Sequence, residues 1–373
     1  MQAGETERRS IRLFLCGDLM TGRGVDQILH SPCDPRLHEG YAQSAIDYVG
    51  FAEAVNGPIP RNVSPAYIWG AALEEFDRAR PDARIVNLET AITHSDDFVA
   101  KGINYRMSPA NADCLDAARI DCCVLANNHV LDWGQAGLLD TLASLKDRHI
   151  KAVGAGRTLA EASAPAVLDI PGKARVGILA FGCATSGVPR DWAAGRTTPG
   201  VNFLSGLSGQ NAERVADQIG NVREQFDIGV VSLHWGSNWG YDIAEDQQDF
   251  AHSLVDDAGA SIVYGHSSHH PRGIEVYHGR LILYGCGDFL NDYEGISGYE
   301  DYRGDLTLMY FVDLMPDGSL SGVELVPLRI QKFQLTRPSR EEAEWVRRTL
   351  DRESGKFGTR VRMKPDGRLE LTW

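Results

Sequence analysis

The chain is short of cysteine. It has seven in 373 residues, and an odd count without framework spacing excludes a disulfide scaffold. No CxxC pair suggests a zinc knuckle. Cys16, Cys122, Cys123, Cys183 and Cys286 lie in apolar stretches and read as small buried hydrophobes. Long apolar runs are also missing. None reaches the ~20 residues of a membrane span, and Met1 to Ser10 is polar, with Glu5, Glu7, Arg8 and Arg9 in place of an apolar signal-peptide core. The expectation is a cytoplasmic protein without a membrane partner. Positive charge is scarce, with 37 Lys and Arg against 51 Asp and Glu and a net charge of −14. Such a surface repels phosphate backbones, which excludes nucleic acid as a partner. Val153-Gly154-Ala155-Gly156 does not match GxGxxG and has no acidic residue at the right distance, so a dinucleotide site is not expected. There is no internal repeat and no low-complexity segment.

What is present is a set of six short polar clusters, each at the end of an apolar, strand-like run. Ile11 to Cys16 leads to Gly17-Asp18, Arg84 to Val86 to Asn87-Leu88-Glu89, and Cys122 to Ala126 to Asn127-Asn128-His129. Ile228 to Leu233 leads to His234-Trp235-Gly236, Ser261 to Tyr264 to Gly265-His266-Ser267-Ser268-His269-His270, and Leu281 to Cys286 to Gly287-Asp288. Buried strands that each deliver an Asp, Glu, Asn or His at the C-terminal end describe an α/β enzyme with a metal or acid/base site on one rim. Helices are expected over Ala71 to Arg80, Ala110 to Ala118, Asp132 to Arg148, Asn211 to Glu224 and Gln247 to Ala258, with a short helical patch near Ala42 to Ala54. Ser31 to Pro65 and Thr185 to Ser208 read as long functional loops. Leu306 to Asp313 and Leu320 to Pro327 read as an antiparallel pair turned by Pro316-Asp317-Gly318.

Each cluster has a plain reading beside the chemical one. Asp18 and Glu89 are either ligands of a hard cation or carboxylates that cap a turn. Asn127 and Asn128 are costly to bury without partners, and an Asn oxygen suits calcium, magnesium or manganese. Asp132, three residues after His129, either holds the imidazole tautomer or caps the following helix. His234 is flanked by Trp235 and Trp239. His266, His269 and His270 place three imidazoles in five positions, where ligands and a catalytic base are expected, with Asp288 or Asp292 to orient one of them. Lys101, Tyr105 and Arg106 read either as an anion-binding loop or as surface charge. Trp69, Trp192, Trp235 and Trp239 divide between an aromatic pocket and core packing.

Taken in order, Gly-Asp, Asn-Leu-Glu, Asn-Asn-His, His-Trp-Gly and Gly-His-x-x-His resemble the CapA-type (poly-gamma-glutamate capsule) branch of the calcineurin-like metallophosphoesterases, from about Asp18 to Asp292. The resemblance implies an α/β sandwich of two mixed sheets flanked by helices, over residues 1–335, with a C-terminal helix and short hairpin over 336–373. It implies Asp18, Glu89, Asn128, His234 and His266 as metal ligands, with His269 a further one, and His129 as the catalytic histidine. The chain departs from the wider superfamily at Met20, where a His is usual, at Glu89, where an Asp is usual, and at Ser268, which takes the second His position of Gly-His-x-His. These departures point to one hard cation (calcium, magnesium or manganese) rather than two zinc or iron ions.

Capsule members act at the membrane, whereas soluble ones similar to this chain include a lasso-peptide epimerase. That resemblance implies a peptide substrate and inversion at Cα. His129, with Asp132, and one of His269 or His270, with Asp288, would be the two acid/base groups, and Lys101, Tyr105, Arg106, Trp235 and Trp239 would contact substrate. The alternatives are a metal-dependent hydrolase of phosphate esters or gamma-glutamyl amides, and a binding protein for polyglutamate.

Overall fold

The computed structural model describes residues 10–373, so the polar stretch read at Met1 to Ser10 lies, apart from Ser10, outside the described residues. Two mixed β-sheets pack face to face with helices on their outer sides. The first sheet runs in the order Asp288–Leu290, Asp18–Leu19, Ala83–Leu88, Ile11–Cys16, Leu306–Leu314, Leu320–Gln331, Leu369–Thr372, Arg360–Met363. Cys122–Val124 and Lys151–Val153 continue it beyond Ala83–Leu88. The second sheet runs Phe203–Leu204, Ala174–Cys183, Ile228–His234, Ile262–His266, Arg280–Leu283, Ile274–Tyr277, with Ala166–Ile170 alongside Ala174–Cys183.

The period-two alternation of each strand builds three apolar layers. Leu13, Leu15, Ile85 and Val124 of the first sheet meet Val176, Ile178, Val230 and Tyr264 of the second between the sheets. Their neighbours Phe14, Cys16, Val86 and Leu88 face outward against Phe76, Leu138 and Leu145 of the helices Ala71–Ala79 and Gly134–Asp147. On the other outer side Leu179, Phe181, Val231 and Leu233 pack against Val215, Ile219, Phe250 and Leu254 of the helices Gly209–Gly220 and Glu245–Asp256. All seven cysteines are buried and free. Among the described residues, no helix is long and apolar enough to cross a membrane.

The expected elements form, with informative differences. The helix read from Asp132 begins at Gly134, and its cap position, Trp133, makes no side-chain cap bond. Asp132 is unavailable as a cap because its carboxylate accepts from the Tyr105 amide at 2.6 Å and meets His129 at 2.7 Å. The strand read over Cys122 to Ala126 ends at Val124, which frees Asn127 and Asn128 to turn over the sheet edge. The loop Ser31 to Pro65 contains a full helix, Ala45–Asn56, started by a Ser44–Asp47 capping box. The strands Ala166–Ile170 and Ile274–Tyr277 were not expected. C-terminal to the helix Arg340–Ser354, the hairpin extends the first sheet by pairing Leu369 with Leu325.

Parallel neighbours in register bring the polar clusters to one rim. Asp18 pairs with Asn87 on one side and Asp288 on the other, and His234 pairs with His266. This junction leaves no room at Gly17, where a Cβ would stand 1.8 Å from the Gly287 carbonyl oxygen. The Asp18 amide donates to that same oxygen at 2.9 Å. Gly17→Ala is therefore expected to destabilise the fold by about 3 kcal/mol. Urea denaturation measures this, and an unchanged midpoint would contradict the close approach.

Candidate metal and acid-base site

Asp18 and Glu89 are fully buried carboxylates at the ends of neighbouring strands. One amide keeps them together, since Asn87 Nδ2 donates to Asp18 Oδ1 at 2.8 Å and to Glu89 Oε2 at 3.2 Å. Asn127 holds Asn87 in turn, donating to its Oδ1 at 3.1 Å and to the Leu88 carbonyl at 2.9 Å. His234 enters from the second sheet, with Nε2 3.1 Å from Asn128 Oδ1 and 3.8 Å from Glu89 Oε1. Asp18, Glu89 and His234 thus offer ligand atoms within 4.8 Å of one another.

A second group shares Asp18. His269 and Asp288 offer ligand atoms within the same 4.8 Å limit of it and of each other. His269 Nδ1 meets Asp288 Oδ1 at 2.8 Å, while Asn291 Nδ2 donates to the other Asp288 oxygen at 2.8 Å. His266 Nδ1 lies 3.2 Å from Asp18 Oδ1 without hydrogen-bond geometry, and its Nε2 has no partner. Ser267, next in the chain, holds φ at 90°, which turns its amide toward Asp18 Oδ2 at 3.3 Å. Strain of this kind costs on the order of 1–3 kcal/mol and collects at functional sites.

The electrostatics fit a cation. Burial, and then the Asp18 charge, pushes the Glu89 carboxyl well above the usual range. Burial likewise raises Asp288, against the pull of His269. Burial opposes ionisation of Asp18 too, but its contact with His266 and the charges of His234 and His269 outweigh burial and lower it. Burial pushes the His234 imidazole down to about 3, against the attraction of Asp18. Two carboxylates held up, a histidine held down and the unpartnered His266 Nε2 and His234 Nδ1 make a donor set short of positive charge. Oxygen and imidazole donors together suit a divalent cation.

His129 stands beside the first group, its Nε2 3.8 Å from Glu89 Oε1. Its Nδ1 meets Asp132 Oδ2 at 2.7 Å, and Lys101 Nζ lies 2.7 Å from Asp132 Oδ1. Lys101 also donates to the Asn128 carbonyl oxygen. Burial, opposed by Asp132 and reinforced by Lys101, lowers His129 to about 4.

Several side chains expected to meet substrate have other work. Lys101 is committed to the Asp132 carboxylate and the Asn128 carbonyl, so it braces His129 rather than awaiting an anion. Arg106 donates to the Ser95 and Asp34 carbonyls and to Asp96 while lying over Trp133, which ties loops together away from the rim. Tyr105 is 1 % exposed, with its hydroxyl taken by Arg23 and Tyr293 and its ring edge-on to His129 at 4.5 Å. Trp235 is a core residue whose indole donates to the Tyr284 carbonyl. Trp69 is core as well, while Trp239 remains at the rim, stacked on Tyr299 at 3.9 Å and 5.3 Å from the His269 ring. His270 has no carboxylate partner. It packs between Tyr241 and Tyr302, and burial, then Arg272, lowers it to about 4. Asp288 therefore orients His269 alone, and Asp292 instead pairs with Arg23. Asn87 and Asn291 were not singled out for roles. Asn87 stands inside the Asn87-Leu88-Glu89 cluster, where its amide was the available signal.

Residues 12–293 match the family described as bacterial capsule synthesis protein PGA_cap. The chain is 45% identical over 364 residues to a probable polyglutamine synthesis accessory protein of Mycobacterium tuberculosis, covering 97% of this chain and 96% of that one. It is 29% identical over 330 residues to the capsule biosynthesis protein CapA of Bacillus anthracis, covering 87% of this chain and 69% of that one. Among solved structures, a phosphatase from Mycoplasma pneumoniae aligns with a TM-score of 0.47 at 13% identity, over 88% of this chain and 95% of that one. Its strand-end clusters all fall within or beside the matched span, and the chain belongs to the PGA_cap (CapA-type) family of bacterial capsule synthesis proteins.

Proposed function

We propose that this chain is a metal-dependent hydrolase of amide bonds in a glutamyl- or glutaminyl-type polymer or peptide. The observation that carries the reading is the pair of candidate ligand groups sharing Asp18, which supports two ions at this site. Divalent ions held by these groups would polarise the scissile carbonyl and lower the pKa of a bound water, supplying a nucleophile at neutral pH. The name of the mycobacterial relative, a polyglutamine synthesis accessory protein, supports the substrate class.

The chain's own residues supply the proton transfer. His129 is neutral at pH 7, since burial holds it at about 4. Asp132 at Nδ1 fixes the tautomer that leaves Nε2 as the acceptor, on the side facing Glu89. His129 accepts a proton at Nε2 from the attacking water and returns it to the leaving amine. Lys101 and the Tyr105 amide hold the Asp132 carboxylate and with it the ring.

Cα epimerisation of a peptide, as in the lasso-peptide enzyme, is the second reading. It is favoured by the two His–Asp pairs, His129–Asp132 from the first sheet and His269–Asp288 from across the junction. It requires His269 free for proton transfer, whereas the hydrolytic reading uses His269 and Asp288 as ligands.

Incubation of manganese-loaded protein with gamma-linked glutamine and glutamate polymers in heavy water separates the two. The hydrolase releases new amines, chelator abolishes this, and His129→Gln lowers kcat about 10²- to 10⁴-fold. One deuterium gained at Cα without cleavage would establish epimerisation instead.

His129 also gives a pH signature in metal-free protein. Its folded value of about 4 lies below the unfolded value of 6.5, so between them the unfolded chain binds more protons. The stability advantage of wild type over His129→Gln should be constant above pH 6.5 and shrink by about 1.4 kcal/mol per pH unit down to pH 4. Denaturant titrations at several pH values measure it, and parallel profiles would show that His129 is not held neutral.

A further inference from the structure

Behind the site lies a buried arginine that the chemistry above does not use. Arg23, 2 % exposed, is fixed by Asp292 and Glu39 and lies over the rings of Tyr48 at 3.8 Å and Tyr105 at 4.4 Å. Its Nη2 donates to the Tyr105 hydroxyl at 3.1 Å. The Tyr105 hydroxyl stands 2.8 Å from that of Tyr293. The Tyr105 ring meets His129 at 4.5 Å, and the Tyr293 ring meets His269 at 5.6 Å. The two hydroxyls therefore join the walls that carry the two imidazoles.

Counting donors sets the direction of this chain. A guanidinium only donates, so Arg23 spends a hydrogen on the Tyr105 oxygen. The Tyr105 proton is then directed to the Tyr293 oxygen. The Tyr293 proton in turn points to Met20 Sδ at 3.6 Å, two residues after Asp18. A thioether is a weak acceptor. Tyr293 is also partly exposed, whereas Arg23 and Tyr105 are not. The relay thus ends on a polarised O–H whose present partner, Met20, is easily displaced.

We infer that Tyr293 donates a hydrogen bond to an anionic oxygen of the bound substrate, displacing Met20, and that Arg23 and Tyr105 are positioning residues that polarise it. Under the hydrolytic reading, on which the identity of that oxygen rests, it is the oxyanion of the tetrahedral intermediate. A preformed donor aimed at developing charge acts most strongly in the transition state.

The test uses inorganic phosphate, a tetrahedral oxyanion, titrated by calorimetry into the manganese-loaded full chain. Tyr293→Phe keeps the ring against His269 and removes the donor. It should weaken phosphate at least tenfold without changing the melting temperature, and Tyr105→Phe should weaken it by a smaller factor. In turnover, Tyr293→Phe should lower kcat by about 10²-fold with KM within threefold. Phosphate affinity within twofold of wild type in Tyr293→Phe, or no phosphate binding in either protein, overturns the assignment. Were Tyr293→Phe to melt early, the wild-type tyrosine ultraviolet difference spectrum on phosphate addition decides, and no change overturns it. Phosphate binding needs no turnover, so absence of amine release with the expected affinity losses would sink the hydrolytic reading alone.

Discussion

Two buried carboxylates that cannot separate set the terms for this molecule. Asp18 and Glu89 end neighbouring strands, one Asn87 amide bridges them, and both lie out of water. Burying like charges side by side is costly unless positive charge is supplied. The fold places His234 and His266 from the second sheet beside them and adds a third carboxylate, Asp288, already paired to His269, a donor set whose charge a divalent cation would balance. The sandwich can be viewed as the scaffold that brings five strand ends to one point. The glycines at its tightest joint, Gly17 and Gly287, are there because the backbones nearly touch.

Around this centre, the supporting contacts have a common logic. Three of the imidazoles near the carboxylates are turned by a neighbour, His129 by Asp132, His269 by Asp288 and His234 by Asn128, whereas His266 has no hydrogen-bond partner. Those neighbours are held in turn by Lys101, Asn291 and the turn of Asn127 and Asn128. Preorganisation at two removes is what acid/base and metal chemistry both require.

The strand-end clusters were legible because a polar residue closing an apolar run has few reasons to be there. The helices were legible from their periodicity. Legibility failed where a side chain's role depends on long-range neighbours. Lys101 and Arg106 look alike in sequence, yet one braces His129 and the other ties loops beneath Trp133. Trp235 and Trp239 are four positions apart, yet one is core and the other rim. Sequence pointed to one cation because Met20 and Ser268 replace expected ligands. It gave no sign that Asp288, from a strand paired directly to Asp18, offers with His269 a second candidate ligand group around it.

The shared Asp18 is the central claim, and metal content tests it most directly. Protein loaded with manganese, desalted and analysed by plasma mass spectrometry should carry two ions per chain, and Asp18→Asn, which removes the common ligand, should carry fewer than one. One ion per chain in wild type, or undiminished metal in Asp18→Asn, would contradict a two-ion centre built on that residue.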